Sequence, residues 1–323
     1  MKKLADIKGI KKWVALLLTY AVVQLLVSLN IINDYIMATL TTICINIILA
    51  VSLNLITGFT GQFSLGHAGF MSIGAYTCAI IIMRYPSPVS FITGLFLGAI
   101  FAALLGFIVG LPTLRLRGDY LAIATLGMAE IIRIVFLNLD ITNGAAGLFI
   151  EVQYTNWLWL FIFTTGTVIL ITNFINSSHG RACISIREDE IAAEAMGINT
   201  TKYKVIAFII GAFCAGIAGA LYASYFYFIK PDLFGFLKSI DILVIVVLGG
   251  LGSISGSILA AFLLALISSL LQSFPEIRMV IYAVLLIVIM LFRPQGIMGS
   301  KELSLSAFKS LGGIFERRNG GER

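Results

Sequence analysis

VIAFIIGAFCAGIAGALYASYFYFI, residues 205–229, contains no charged side chain. About 20 apolar residues make a helix long enough to cross the hydrocarbon of a bilayer, and this stretch exceeds that length. Upstream lie Trp157–Ile175, Tyr120–Leu139, Phe91–Leu111, Leu65–Met83, Ile36–Ile56 and Trp13–Leu29, all apolar and near spanning length. Downstream the runs are shorter: Ile240–Gly250, Gly256–Leu271 and Met279–Phe292. Over the whole chain 59% of residues are hydrophobic and 12% charged, with a mean hydropathy of +1.01. A soluble domain carries about 25% charged residues. Lipid must therefore solvate most of this surface. The runs lack the period-two alternation of barrel strands, and helices satisfy the backbone internally in lipid. The expected fold is an all-α polytopic membrane protein with eight to ten transmembrane helices and glycine-broken segments. Residues 1–300 form one membrane domain with a loop at 176–204, and 301–323 form a basic tail.

Charge sets the expected orientation, because short loops rich in Lys and Arg stay in the cytoplasm. Lys2, Lys3, Lys8, Lys11 and Lys12 place the N-terminus inside, and the first apolar run reads as a retained helix without a small-residue cleavage site. Alternation then puts Arg115, Arg117, Arg181, Arg187, Lys202 and Lys204 inside, and Asp34, Asp140 and Glu151 outside. The basic tail is also inside only if the short Ile240–Gly250 run crosses. That assignment makes 17 of the 22 basic residues cytoplasmic. The +6 net charge thus follows from topology. The basic residues sit beside helix ends and form no aromatic-interleaved patch, so no nucleic-acid partner is expected. Cys44, Cys78, Cys183 and Cys214 are scattered and read as small core residues, not a metal or disulfide framework.

Two glycine-rich stretches interrupt the apolar sequence: NLITGFTGQFSLGHAGFMSIGAY from residue 54 and VLGGLGSISGS from residue 247. Glycine permits close helix packing, or an unwound helix whose freed backbone groups face a cavity. In the first stretch Gly61, Ser64, Gly66, His67, Ser72 and Tyr76 are candidates for lining a translocation path. His67 reads equally as a hydrogen-bonded packing residue. Glu130 and Arg133 lie at membrane depth on one helix face, spaced i, i+3. They are candidates for the same path or a self-neutralising structural pair. Asp119, after Gly118, fits an acid at a helix start.

The loop NSSHGRACISIREDEIAAEAMGINTTKYK begins at Asn176. Ile184, Ile191 and Ala195 fall on one helical stripe, and Arg187, Glu190 and Glu194 on another. Gly197 suits the left-handed position that ends a helix, with Ile198 folding back. A short amphipathic helix is expected. Its acids at 188–190 are unsuited to a headgroup-bound helix, which favours Lys and Arg, so a cytoplasmic protein is the expected partner.

Four stretches resemble the branched-chain amino acid permeases of ABC importers, the M-type subunit in particular. They are GQFSLGHAGFMSIGAYT, LRLRGDYLAIATLGMAEIIR, the loop and following span from GRACISIRE to GALYA, and VVLGGLGSISGSILAA. The resemblance implies an ABC permease architecture in the bacterial inner membrane, both termini cytoplasmic. It implies a second permease subunit, two cytoplasmic ATPase subunits, an extracytoplasmic binding protein and surrounding lipid as partners. By position, Gly180, Arg181, Arg187, Glu188, Asp189, Glu190, Ala193 and Gly197 correspond to the ATPase-coupling loop. The sequence departs from the general pattern there, since Ile191 stands where a glutamate is usual and Glu190 precedes it. No G-x-x-x-x-G-K-[S/T] occurs, so ATP and magnesium are expected to be used by the partner subunits and no cofactor by this chain. Related permeases serve urea and short amides, the alternative substrate class. An ion-coupled secondary transporter using Glu130 and Arg133 is a further alternative, and it has no use for an acidic docking loop.

Overall fold

The computed structural model describes residues 18–271 apart from 30, 31, 114, 115 and 117, together with 274, 280, 281, 283, 284, 287, 288, 291, 292 and 295–299. The basic N-terminus, Arg115, Arg117, the 301–323 tail and much of the Met279–Phe292 run lie outside these residues. The described chain is helical almost throughout. Its helices are α1 (Leu18–Ser28), α2 (Asp34–Asn54), α3 (His67–Arg84), α4 (Pro88–Thr113), α5 (Asp119–Asn138) and α6 (Trp157–Asn176). Then come α7 (Ser178–Glu188), α8 (Glu190–Ala195), α9 (Thr200–Phe226), α10 (Phe236–Gly249) and α11 (Ile254–Leu270). One strand pair joins distant loops: β1 (Leu148–Phe149) runs antiparallel to β2 (Phe228–Ile229).

Among the described residues, five helices are long and apolar enough to cross a membrane: α2 with its continuation to Phe59, α4, α5, α6 and α9. The helix expected at Leu65–Met83 begins two residues later, at His67, because the chain from Gly61 to Gly66 is extended loop. α10 has 14 residues, about 21 Å at 1.5 Å per residue, yet it runs from one end of the bundle to the other. Its start follows Gly235, which lies near Arg133. Its end, Gly249–Gly250, lies with Ile297 and Met298, whose N–H groups donate to Leu248 O at 2.9 Å and Gly249 O at 3.3 Å. α10 thus links the Arg133 region to the Gly249–Gly250 turn and is shorter than the five helices of spanning length.

Packing places α9 at the centre, with 72% of its apolar window buried, against 22% for α5 and for α6. α3 and α4 clasp α9 through small residues. A Cβ at Gly74 would stand 2.0 Å from Gly216 O, and one at Gly216 would stand 2.8 Å from Ala99 Cα. Lipid tails are as apolar as leucine, so such close backbone packing, rather than hydrophobic expulsion, holds helices together. The opposite side of α4 exposes Phe96, Ile100, Leu104 and Phe107, the surface that lipid solvates. Cys44, Cys78, Cys183 and Cys214 are buried and unpaired.

The packing predicts a specific sensitivity. Gly216→Leu forces a side chain between α9 and α4 and is expected to cost about 3 kcal/mol, seen as a lower unfolding temperature in detergent. Gly166→Leu on α6, where a Cβ meets nothing within 4 Å, is expected to leave that temperature nearly unchanged. Equal shifts in both variants would contradict the assignment.

Candidate functional site

The two glycine-rich breaks meet at one end of the bundle, and the loop segment meets them there. α2 ends at Asn54 and continues as a π-helical turn, Leu55–Phe59. The Asn54 carboxamide is fully buried. Its Nδ2 donates to Ser253 O at 2.9 Å and to Ser257 Oγ at 2.8 Å, and its Oδ1 accepts from the Gly252 N–H at 2.9 Å. One side chain thus joins the end of α2 to the turn between α10 and α11. Ser253 also caps α11, its Oγ accepting from the Gly256 N–H at 3.1 Å. Glycine is required at 58 for space, since a Cβ there would stand 1.8 Å from Asn54 Oδ1.

Arg187, near the end of α7, completes the junction. Its Nη1 donates to Gly58 O at 2.9 Å. A Cβ on Gly252 would stand 2.7 Å from the same nitrogen, and one on Gly61, at φ +70°, would stand 3.3 Å from Arg187 Cγ. The other side of the guanidinium pairs with Glu188. Three stretches that the sequence separates by 65 residues or more are therefore in contact around one guanidinium. Its planar fork can hold a carbonyl and a carboxylate together, which a lysine ammonium does less well.

The expected single amphipathic helix is two. Asp189 leaves helical geometry at φ −158°, ψ 112°, and its Oδ1 accepts from the N–H groups of Ile191 at 2.9 Å and Ala192 at 3.0 Å. An aspartate is among the best N-cap residues, so it starts α8 where continuation of α7 was expected. The break separates Ile184 from Ile191 and Ala195, and both later residues are exposed. Ala193 instead faces inward, 4% exposed. Ile191 at 70% and Met196 at 82% stand out into solvent. At the far end Gly197 takes φ +82°. Its N–H donates to Glu194 O at 2.9 Å while that of Ile198 donates to Ala193 O at 3.0 Å, the paired bonds of a left-handed helix stop.

The remaining loop residues hold the element to its neighbours. Ser177 Oγ accepts from the Gly180 N–H at 3.3 Å, and a Cβ at Gly180 would lie 2.3 Å from Phe174 O, so the α6–α7 turn needs glycine there. Arg181 Nη1 donates to Asn176 O at 3.0 Å, at the end of α6. Glu190 accepts from Lys204 Nζ at 2.6 Å, and Glu194 from Thr200 Oγ1 at 2.7 Å. Glu188, with 67% of its side chain exposed, and Asp189 are the acids on the outer face. Asp119 is the first residue of α5 and makes no side-chain cap bond; Gly118, at φ +59°, occupies the cap position.

The candidates for the path are arranged differently from the expectation. Ser64, His67, Ser72 and Tyr76 are all buried within this chain. His67 pairs with Ser52 Oγ at 2.8 Å through Nε2, Ser72 Oγ donates to Gly69 O at 2.6 Å, and Tyr76 stacks on Phe136 at 4.4 Å. A Cβ at Gly66 would stand 2.8 Å from Thr125 O on α5, so that glycine serves close packing. Glu130 and Arg133 pair at 2.7 Å, and Arg133 Nη1 also reaches Asp232 Oδ1 at 3.1 Å in the loop after β2. That pair lies at the end of the bundle opposite α7, outside the packed interior. A cavity of about 430 Å³ opens beside it among α2, α9, α10 and α11; Met71 is the residue of α3 that lines it.

The comparisons with known proteins agree on one family. Residues 35–290 match the family described as branched-chain amino acid transport system, permease component. The high-affinity branched-chain amino acid transport system permease protein LivM of Salmonella typhimurium is 38% identical, over 81% of this chain and 69% of that one. The LivH permease protein of the corresponding Escherichia coli system is 34% identical over 45% of this chain and 47% of its own length. A probable LivM permease of Methanocaldococcus jannaschii is 25% identical over 79% of this chain and 91% of that one.

The junction gives a direct stability test. Asn54→Ala leaves the Gly252 N–H and the Ser257 hydroxyl without this partner in a buried site, and is expected to destabilise by about 3 kcal/mol. Thermal unfolding in detergent measures it. A variant as stable as the parent would show that the two breaks are held by something else.

Proposed function

Since this chain belongs to the branched-chain amino acid transport permease family, we propose that it is a membrane-spanning subunit of an ATP-driven ABC importer and forms the path for branched-chain amino acids with a second permease. It sits in the bacterial inner membrane. The α7 end, which carries Arg181, Arg187, Lys202 and Lys204, faces the cytoplasm by the positive-inside rule. The opposite end, with Asp34, Asp140, Glu151 and Asp232, faces an extracytoplasmic binding protein.

The observation that carries this reading is the α7–α8 element. It is capped at both ends, bonded to the first helix break and packed on the second through Arg187, and presents Ile191 and Met196 outward beside Glu188 and Asp189. An exposed apolar pair rimmed by acids suits a groove on a soluble protein better than anionic headgroups. Two ATPase subunits, which would bind ATP and magnesium, are the partners in this reading. Movement of α7 would pull on Gly58 and Gly252 together and shift the ends of α2, α10 and α11. Arg133 pairs with both Glu130 and Asp232, an arrangement that suits a structural ion-pair network.

Reconstitution of the chain with its second permease, the ATPases and the binding protein in proteoliposomes tests the reading. ATP-dependent accumulation of leucine, isoleucine and valine, insensitive to a protonophore, is expected. Uptake of urea instead, or uptake driven by an ion gradient without ATP, would overturn it. Changing Ile191 and Met196 together to lysine is expected to reduce ATPase co-purification at least tenfold, with the permease still folded. Full retention of the ATPases would place docking elsewhere.

A further inference from the structure

A second cavity, of about 440 Å³, lies at the end of the bundle where α2 and α6 begin and α9 ends. Small-molecule sites occupy roughly 300–1,000 Å³. Tyr20 lines it from α1, Asp34 from the first turn of α2, Trp157 from the first turn of α6 and Tyr225 from the last turn of α9. The ring of Phe161 lies 5.2 Å from that of Tyr20 and 6.0 Å from that of Trp157, and so braces both. Asn156, also in the lining, occupies the N-cap position of α6 yet makes no side-chain cap bond. Among the described residues no lysine or arginine lines the cavity, and Asp34 forms no ion pair. The lining is thus one carboxylate without a counter-ion, set among three aromatic rings.

We propose that this cavity binds the headgroup of a phospholipid that carries a primary ammonium. An aromatic face attracts a cation and a carboxylate neutralises it, and both effects strengthen where water is scarce. The Asp34 carboxylate and the Asn156 carbonyl accept N–H hydrogen bonds. A primary ammonium has three such donors and a trimethylammonium has none, so the polar part of the lining selects the former. A headgroup with no cation brings only negative charge toward Asp34. The surroundings favour a lipid over a free amine. Tyr and Trp collect where spanning helices meet the headgroups, and this cavity lies at such a helix end. Only 22% of the apolar window of α6 is buried. Leu158 lines the cavity and, with Ile162 one turn further along α6, is exposed, which gives an acyl chain an apolar track leading away from the headgroup. The lipid is a resident ligand in this role and not a cargo. It would join α1, α2 and α6 at an end where no ion pair among the described residues does so.

The full chain, purified in detergent and stripped of lipid, provides the test. It is titrated with short-chain phosphatidylethanolamine, phosphatidylcholine or phosphatidylglycerol, and bound lipid is counted by native mass spectrometry. Phosphatidylethanolamine is expected to bind with a Kd at least tenfold below that of either other lipid. Asp34→Asn should remove that preference and Tyr20→Leu should weaken it at least threefold, whereas Asp34→Glu should retain most of it and Asp140→Asn, in an exposed loop, should leave it unchanged. Asp34 is exposed, so the unfolding temperature of its variants without lipid should match that of the parent. Equal affinity for the choline or glycerol headgroup would overturn the proposal, as would an Asp34→Asn variant that keeps the parent's preference. Binding of free ethanolamine as tight as that of the lipid would overturn the assignment of a lipid as the occupant.

Discussion

The hydrogen bond from Arg187 to the Gly58 carbonyl, laid against the backbone of Gly252, is the contact on which the rest of the molecule's organisation depends. It connects the element outside the bundle to two interruptions inside it. Asn54 makes the complementary connection by satisfying the backbone and side chains of the second interruption from the end of the first helix. Irregular backbone at such depth persists only where protein groups satisfy it. These two side chains do so, and in consequence the helix ends cannot move independently of one another or of α7.

The remainder of the bundle explains why motion would concentrate at this junction. α3, α4 and α9 are locked by backbone-to-backbone approach around Gly74 and Gly216, an arrangement with no room for sliding. α2, α10 and α11 are joined through Asn54 at one end, and Tyr35 and Thr39 of α2 bond Ser269 of α11 at the other, with a cavity bordered by all three helices. In the proposed assembly, docking at Ile191 and Met196 would act on the ends of α2, α10 and α11 through α7 and Arg187.

Much of the fold is legible in the sequence because lipid demands long uncharged runs, and their limits mark the helices. The break at Gly58–Gly66 and the left-handed stop at Gly197 follow from glycine placement. The split at Asp189 is less legible, since an aspartate within three successive acids reads as surface charge until its side chain is seen to cap the Ile191 and Ala192 N–H groups. His67 and Ser72 are polar side chains in an apolar run whose partners in the structure are Ser52 and Gly69, while Tyr76 stacks on Phe136 with its buried hydroxyl unpartnered. Asn54 carried the same signal and lay at the edge of the same stretch. Its partners are some two hundred residues away, a distance that sequence spacing alone does not bridge.

The central claim, that Arg187 transmits the state of the docking element to the helix breaks, is tested most directly by the ratio of ATP hydrolysed to leucine transported. The comparison is between the parent assembly and Arg187→Gln in proteoliposomes. Loss of the link predicts that binding-protein-stimulated hydrolysis persists while uptake falls, so the ratio rises at least tenfold. An unchanged ratio, whether both activities are retained or both decline together, would contradict it.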